Sequence, residues 1–233
     1  MSHVDLKTRV CAANREISST GLALLTWGNA SEIDRDAGVF AIKPSGVAYN
    51  VLSPEDIVLV SIETGEKVEG ELSPSSDSAS HAELYRAFES IGGIVHTHST
   101  CATAWAQAQR GIPCLGTTHA DHFYGEVPCT RLLTREEVAG GYELNTGKVI
   151  VEHFAKHELD PAQMPGVLVA SHAPFVWGAD AAAAVTCGIT LEEVARMALK
   201  TCSLAPNVQP IDDYLLDKHF LRKHGIDAYY GQR

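Results

Sequence analysis

Apolar and polar positions follow two distinct periods along the chain. Leu6, Val10, Ala13 and Ile17 fall 4, 3 and 4 residues apart, on one helical face, and predict a helix over 4–20 ended by Gly21. Three short apolar stretches follow, at 22–26, 39–42 and 57–60, separated by Gly, Asn, Asp and Pro. They predict strands in an antiparallel arrangement, and 62–69 predicts a hairpin turn about Gly65. Ser75-Ser76-Asp77 predicts the cap of a helix running to about Phe88, with Leu84, Tyr85 and Phe88 facing inward. Residues 91–98 and 167–171 read as further strands. Thr134-Arg-Glu-Glu137 is a capping box, opening helical sequence that Gly140-Gly141 interrupts. Long helices are predicted over 179–203 and 211–224. Strands in the middle, with helices between them and at both ends, predict one α/β domain over 1–233 around a mixed or antiparallel sheet.

The chain has 233 residues, 45% hydrophobic and 20% charged, which excludes a mostly disordered polypeptide. The longest apolar runs, at 166–170 and 181–185, fall far short of the roughly 20 residues of a membrane helix. The first residues lack the basic and apolar regions of a secretory signal, so a soluble, cytoplasmic protein is expected. Lys and Arg number 18 against 29 Asp and Glu, a formal charge of −11. Without a basic stripe, nucleic acid is excluded as a partner. A small anionic ligand is not, because one pocket can be locally positive. Six cysteines lie at 11, 101, 114, 129, 187 and 202 with no C-x-x-C pair, a pattern of free, buried thiols.

His96-Thr97-His98 follows an apolar run, and residues two apart on a strand share a face. Both imidazoles can therefore reach one ion. His172 closes the apolar segment 167–171, just before Ala173-Pro174, and Asp77 stands at a helix start. Each has an ordinary structural alternative: a chance pair, a hydrogen-bonded strand-end histidine, a first-turn acid favoured by the helix dipole. Together they make three imidazoles and a carboxylate, a donor set suited to Zn²⁺ or another borderline divalent cation with a position left for substrate. Such an ion polarises a carbonyl and stabilises developing negative charge.

Three further segments combine Gly, Ser and Asn with one cation. They are Thr26-Trp27-Gly28-Asn29-Ala30-Ser31, Lys43-Pro44-Ser45-Gly46 and Pro74-Ser75-Ser76. Glycine permits close backbone approach, Ser and Asn supply donors, and Lys43 supplies positive charge. Ser75 and Ser76 open a helix, where free N–H groups favour phosphate. Any one of these segments is equally readable as a turn or cap. No Walker motif or G-x-G-x-x-G is present, so a nucleotide site has no support.

The set resembles the class II aldolase and epimerase family. The matching stretches are Leu25-Thr-Trp-Gly-Asn-Ala-Ser31, Ile42-Lys-Pro-Ser-Gly46, Pro74-Ser-Ser-Asp77 and Gly92-Gly-Ile-Val-His-Thr-His-Ser99. Gly116-Thr-Thr-His-Ala-Asp-His-Phe-Tyr-Gly125, Met164-Pro-Gly-Val-Leu-Val169, Leu216-Asp-Lys-His-Phe-Leu-Arg-Lys-His-Gly225 and Tyr229-Tyr-Gly-Gln232 complete the likeness. It spans nearly the whole chain and is strongest to the branch that interconverts L-ribulose 5-phosphate and D-xylulose 5-phosphate. The resemblance implies a three-layer α/β/α domain with a central, mostly antiparallel sheet, assembled as a homotetramer. It implies Zn²⁺, Mn²⁺ or Co²⁺ on His96, His98 and His172, with Asp77 as a further metal-site carboxylate. It places a substrate phosphate among Gly28, Asn29, Ser45, Gly46, Ser75 and Ser76, near Lys43. It gives acid–base roles to Asp121 and Tyr230, the latter reaching a neighbouring subunit's site.

Two departures stand out. Ala173 replaces the glycine usual after the third histidine, a change tolerated unless that backbone needs positive φ. Asp77 stands where the aldolase branch has a catalytic Glu, and its shorter reach suits a metal-side role. Two alternatives remain: a class II aldolase that releases its two fragments, and a non-enzymatic domain of the kind found at the head of adducin. The presence of His96, His98, His172, Asp121 and Tyr230 together argues against the scaffold. The sequence does not choose between arabinose and ascorbate catabolism.

Overall fold

The computed structural model describes residues 2–230. Helix α1 (His3–Ser19) forms where the apolar period places it, capped by the Ser2 hydroxyl, and the chain leaves it through Gly21 at φ 78. The next expectation fails. Residues 22–26 are not a strand; the strand β1 is Gly28–Asp34. Leu25 takes φ 52 in the intervening loop, and Leu24, Leu25 and Trp27 are exposed. β1 escapes a hydropathy reading because its buried side chains include Asn29, Ser31, Glu32 and Asp34, polar groups that are tolerated inside only when paired. Asn14 of α1 both donates to the Ala30 carbonyl and accepts from its N–H, each at 2.9 Å. Arg9 and the Ala181 backbone N–H satisfy Glu32.

β2 (Val39–Ile42) lies where predicted, and β3 (Val58–Ser61) is displaced by one residue after a short 3₁₀ turn at Pro54–Asp56. β4 (Lys67–Glu69) completes the hairpin, with Gly65 at φ 72 in the turn. Helix α2 (Ser78–Ala87) starts after Asp77, whose side chain does not cap it. β5 (Gly93–Thr97) is a shortened form of the predicted strand. Two helices, α3 (Thr100–Gln107) and α4 (Thr117–Ala120), are new. The Thr134 capping box opens α5 (Arg135–Ala139), and Gly140-Gly141 breaks it before α6 (Tyr142–Lys156). The predicted strand at 167–171 divides: β6 is Gly166–Leu168, Ser171 turns the chain at φ 59, and β7 is Pro174–Gly178. Helices α7 (Ala181–Leu204) and α8 (Asp213–His224) end the described chain close to their predicted spans.

The seven strands form one sheet in the order β4-β3-β2-β1-β5-β7-β6, and each pairing is antiparallel. Alternation along the strands divides the core between two helical layers. Val95 and Val176 lie near Gly188 of α7. On the other face Phe40 meets Tyr85 of α2, and Trp177 meets Phe88 and Phe154 of α6 at ring separations of 5.3 Å. The result is a three-layer α/β/α domain. Glu192 in α7 accepts from the Cys101 and Ala102 N–H groups at the start of α3, which ties the two helices together. All six cysteines are free thiols. Among the described residues no helix is long and apolar enough to cross a membrane.

Candidate active site

The ends of β1, β5 and the β6–β7 turn meet the β2 and α2 loops around an open cleft of about 740 Å³. All four predicted metal-site residues and all seven predicted phosphate-site residues line it. Pairing in the sheet explains why: Asn29 lies opposite His96 across β1 and β5, and Gly28 opposite Thr97. A Cβ on Gly28 would sit 2.6 Å from the His96 carbonyl, so the close approach of these strands requires glycine there. The two anion loops are also zipped together. Ser45 N–H donates to the Ser73 carbonyl and Ser75 N–H to the Lys43 carbonyl, both at 3.0 Å.

His96, His98 and His172 each bring one ligand nitrogen within 4.8 Å of the others. His96 donates Nδ1–H to the Pro174 carbonyl at 2.9 Å and stacks on Phe175 with ring centroids 4.1 Å apart. That fixes its tautomer and turns the Nε2 lone pair toward the cleft. His172 is half-buried, with an Nδ1 that has no partner among the described residues, and burial lowers its pKa to about 3. Burial also lowers the pKa of His98. Burial thus favours the neutral form of His98 and His172, the form that binds a cation, and three convergent imidazoles with an orphaned nitrogen fit a borderline divalent ion. Asp77 stands beside this cluster rather than within it, its carboxylate accepting from Asn29 Nδ2 at 2.7 Å. Burial opposes its ionised form, but the imidazoles and Asn29 outweigh that and hold its pKa below the usual carboxylate range.

Lys43 is buried, with Nζ donating to the Pro44 carbonyl at 3.2 Å and lying 5.0 Å from the Tyr49 ring centroid. Burial depresses its pKa. A buried ammonium facing a cleft, with hydroxyls and backbone around it, is arranged to receive an anion. Ala173 is fully buried without a positive φ; Ser171 carries the left-handed turn, so the extra methyl is accommodated.

Asp121 and Tyr230 do not line the cleft. They share a separate corner built on α8. Arg222 donates to both Asp121 oxygens, at 3.1 and 2.8 Å, and His219 Nδ1 lies 3.1 Å from one of them. Burial raises the Asp121 pKa, yet these contacts prevail and hold it low. The Arg222 guanidinium lies 4.6 Å from the Tyr230 ring centroid, and Tyr230 is 58% exposed. Four cleft residues went unread in the sequence: Thr103, Gln107, Tyr142 and Glu143. The signal for the last two was the Gly140-Gly141 break, which restarts the helix at Tyr142 on the cleft wall, its ring 5.7 Å from that of His172. For Thr103 and Gln107 the four-residue spacing on α3 is visible only once that helix is known.

The family described as the class II aldolase and adducin N-terminal domain matches residues 8–199. An L-ribulose-5-phosphate 4-epimerase UlaF of Salmonella paratyphi A (strain ATCC 9150 / SARB42) is 55% identical over 98% of this chain and 99% of its own. The protein of the same name from Salmonella typhi matches to the same extent. Among solved structures, an L-fuculose 1-phosphate aldolase superimposes with a TM-score of 0.77 at 24% identity, covering 92% of this chain and 94% of its own. The L-fuculose-1-phosphate aldolase from Thermus thermophilus gives a TM-score of 0.66 at 23% identity, covering 88% and 98%. From its first helix into its longest one, the chain belongs to the class II aldolase and adducin N-terminal domain family.

Proposed function

We propose that the chain is an L-ribulose-5-phosphate 4-epimerase, interconverting L-ribulose 5-phosphate and D-xylulose 5-phosphate by opening and re-forming the C3–C4 bond. The observation that carries this reading is the cleft itself, where three convergent imidazoles adjoin a Lys43-centred cradle of hydroxyls and backbone. The 55% identity to proteins of that name gives the substrate. The hydrogen at C4 is not α to the ketone, so direct deprotonation there is very difficult, and carbon–carbon cleavage avoids it. His96, His98 and His172, with Asp77 at their side, would hold Zn²⁺ or a similar ion. Once bound, that ion stabilises negative charge on the ketose oxygens as the bond opens.

The remaining steps belong to the chain's own groups. Lys43, Ser45, Gly46, Ser75 and Ser76, with Gly28 and Asn29, retain the phosphate, so the aldehyde fragment stays in place, turns its other face and recombines. Asp121 and Tyr230 exchange the proton of the C4 hydroxyl, general acid–base catalysis that contributes roughly 10²–10⁴-fold. Their position on a corner away from the cleft of their own chain, with Tyr230 exposed, suits a homotetramer in which each cleft is completed by a neighbouring subunit. The exposed Leu221, Ile226 and Tyr229 on that corner suit such a contact. We read residues 1–233 as one domain acting in the cytoplasm, where six free thiols persist, on ketopentose phosphates from arabinose or ascorbate catabolism.

Incubation with L-ribulose 5-phosphate, with and without a chelator, tests the reading. D-Xylulose 5-phosphate should form with little free aldehyde and should stop forming when the ion is removed. Release of dihydroxyacetone and glycolaldehyde phosphate as the main products would make the protein an aldolase instead.

A further inference from the structure

His81 belongs to neither the cleft lining nor the steps above. It is fully buried in α2, one turn beyond Asp77, to whose carbonyl its backbone N–H donates at 3.0 Å. Its Nδ1 lies 2.7 Å from the Ser31 hydroxyl, and that hydroxyl lies 2.8 Å from the Tyr85 phenol. Its Nε2 is buried and has no hydrogen-bond partner among the described residues. A buried ring nitrogen left in that state costs the fold stability, so its retention calls for a reason.

The hydroxyl string can run in two directions. If Nδ1–H donates to Ser31, a bare Nε2 lone pair is left on a ring one helical turn from the ionised Asp77. If Tyr85 donates to Ser31 and Ser31 to Nδ1, then Nε2 carries the proton. Asp77 is the acid whose charge acts on this ring, and an N–H toward a carboxylate is favourable where a lone pair is not. Phe175 locks the arrangement, meeting the His81 ring edge-on at 6.1 Å while stacking on His96 at 4.1 Å.

We propose that His81 is a positioning residue whose Nε2–H, oriented by Ser31 and Tyr85, holds the Asp77 carboxylate when a divalent ion is taken up. Asn29 steadies one oxygen of that carboxylate, and His81 supplies the second restraint. The affinity of the cleft for its ion then depends on a side chain that never touches it, and it does so through Asp77. The proposal rests on the reading that the cleft holds a divalent ion.

Zn²⁺ competition against a chromophoric chelator, on stripped full-length protein, tests it, with Co²⁺ visible spectra as a second readout. His81→Asn keeps the group facing Ser31 and loses the one facing Asp77; His81→Gln keeps a donor at the Nε2 position. His81→Asn should bind Zn²⁺ about tenfold or more weakly, the range typical of lost outer-sphere partners, and should alter the Co²⁺ bands. His81→Gln should stay within about threefold of wild type, and in an Asp77→Asn background the His81→Asn effect should vanish. Wild-type affinity in His81→Asn would overturn the proposal, as would equal losses in both His81 variants or an undiminished loss in the Asp77→Asn background. If His81→Asn does not fold, Ser31→Ala leaves the ring in place and should still weaken Zn²⁺ binding; unchanged affinity there would overturn the proposal. Wild-type protein that takes up no ion would remove the metal reading as well, whereas wild-type uptake with unchanged variants removes only the role of His81.

Discussion

The cleft and the α8 corner hold the two halves of the proposed chemistry, and they are built differently. His96 is fixed by its strand and by stacking on Phe175, and Lys43 by burial, and the nitrogens of His96, His98 and His172 converge before any ligand arrives. Asp121 and Tyr230 sit on a corner where the phenol is exposed and the acid half-buried, with Arg222 gripping the acid and facing the phenol. A centre that must hold charge gains from donors fixed in place beforehand. A proton-exchanging pair supplied to another chain's cleft must instead remain accessible, and ionic contacts keep it in order meanwhile. On the proposed reading, this division leaves the cleft of each chain to be completed by a neighbour's corner.

Breaking the cleft should have the largest effect. His98→Asn, at an exposed position in the trio, should abolish ion retention and epimerisation together; metal content and product formation measured on one sample check this. Tyr230→Phe should lower turnover by roughly 10²–10⁴-fold with the ion still bound, which separates corner from cleft. Mixing these two inactive proteins under conditions of subunit exchange sharpens the comparison. Shared sites predict recovery of about a tenth or more of wild-type activity, since some clefts then join an intact trio to an intact corner. Self-contained sites predict none.

The last effect falls on stability rather than on turnover. Burial holds His81 at a pKa of about 3 and His119 at about 4, below the roughly 6.5 of an unfolded chain. Protonation therefore favours the unfolded state, and the stability present above pH 6.5 drains away as pH falls toward 4. The slope approaches about 1.4 kcal/mol per ring per pH unit. Denaturant midpoints between pH 7.5 and 5 should fall accordingly, and His119→Gln, remote from the ion, should flatten part of that fall.

Much of the framework was legible in the sequence because its signals were local. The α1 period, the β2 run, the Thr134 box and the Gly140-Gly141 break all lie where expected. β1 was not legible, because its interior faces carry Asn29, Ser31 and Glu32, whose partners, Asp77, His81 and Arg9, come from elsewhere in the chain. β7 was hidden behind a turn at Ser171 that periodicity does not register. The histidine trio could be named from spacing and family resemblance, but its convergence depends on β1, β5 and β7 being neighbours. The distance of Asp121 and Tyr230 from the cleft is a property of the folded surface, with no linear trace.

The grip of Glu192 on the first turn of α3 has a consequence for engineering. That turn begins two residues after His98, so the carboxylate anchors a ligand-bearing segment from a distant part of the chain, out of the middle of α7. A loop transplanted with its histidines alone would arrive without this tether. Conversely, a one-residue insertion in α7 ahead of Glu192 would rotate the tether by about 100° and loosen His98 without altering a single residue of the cleft.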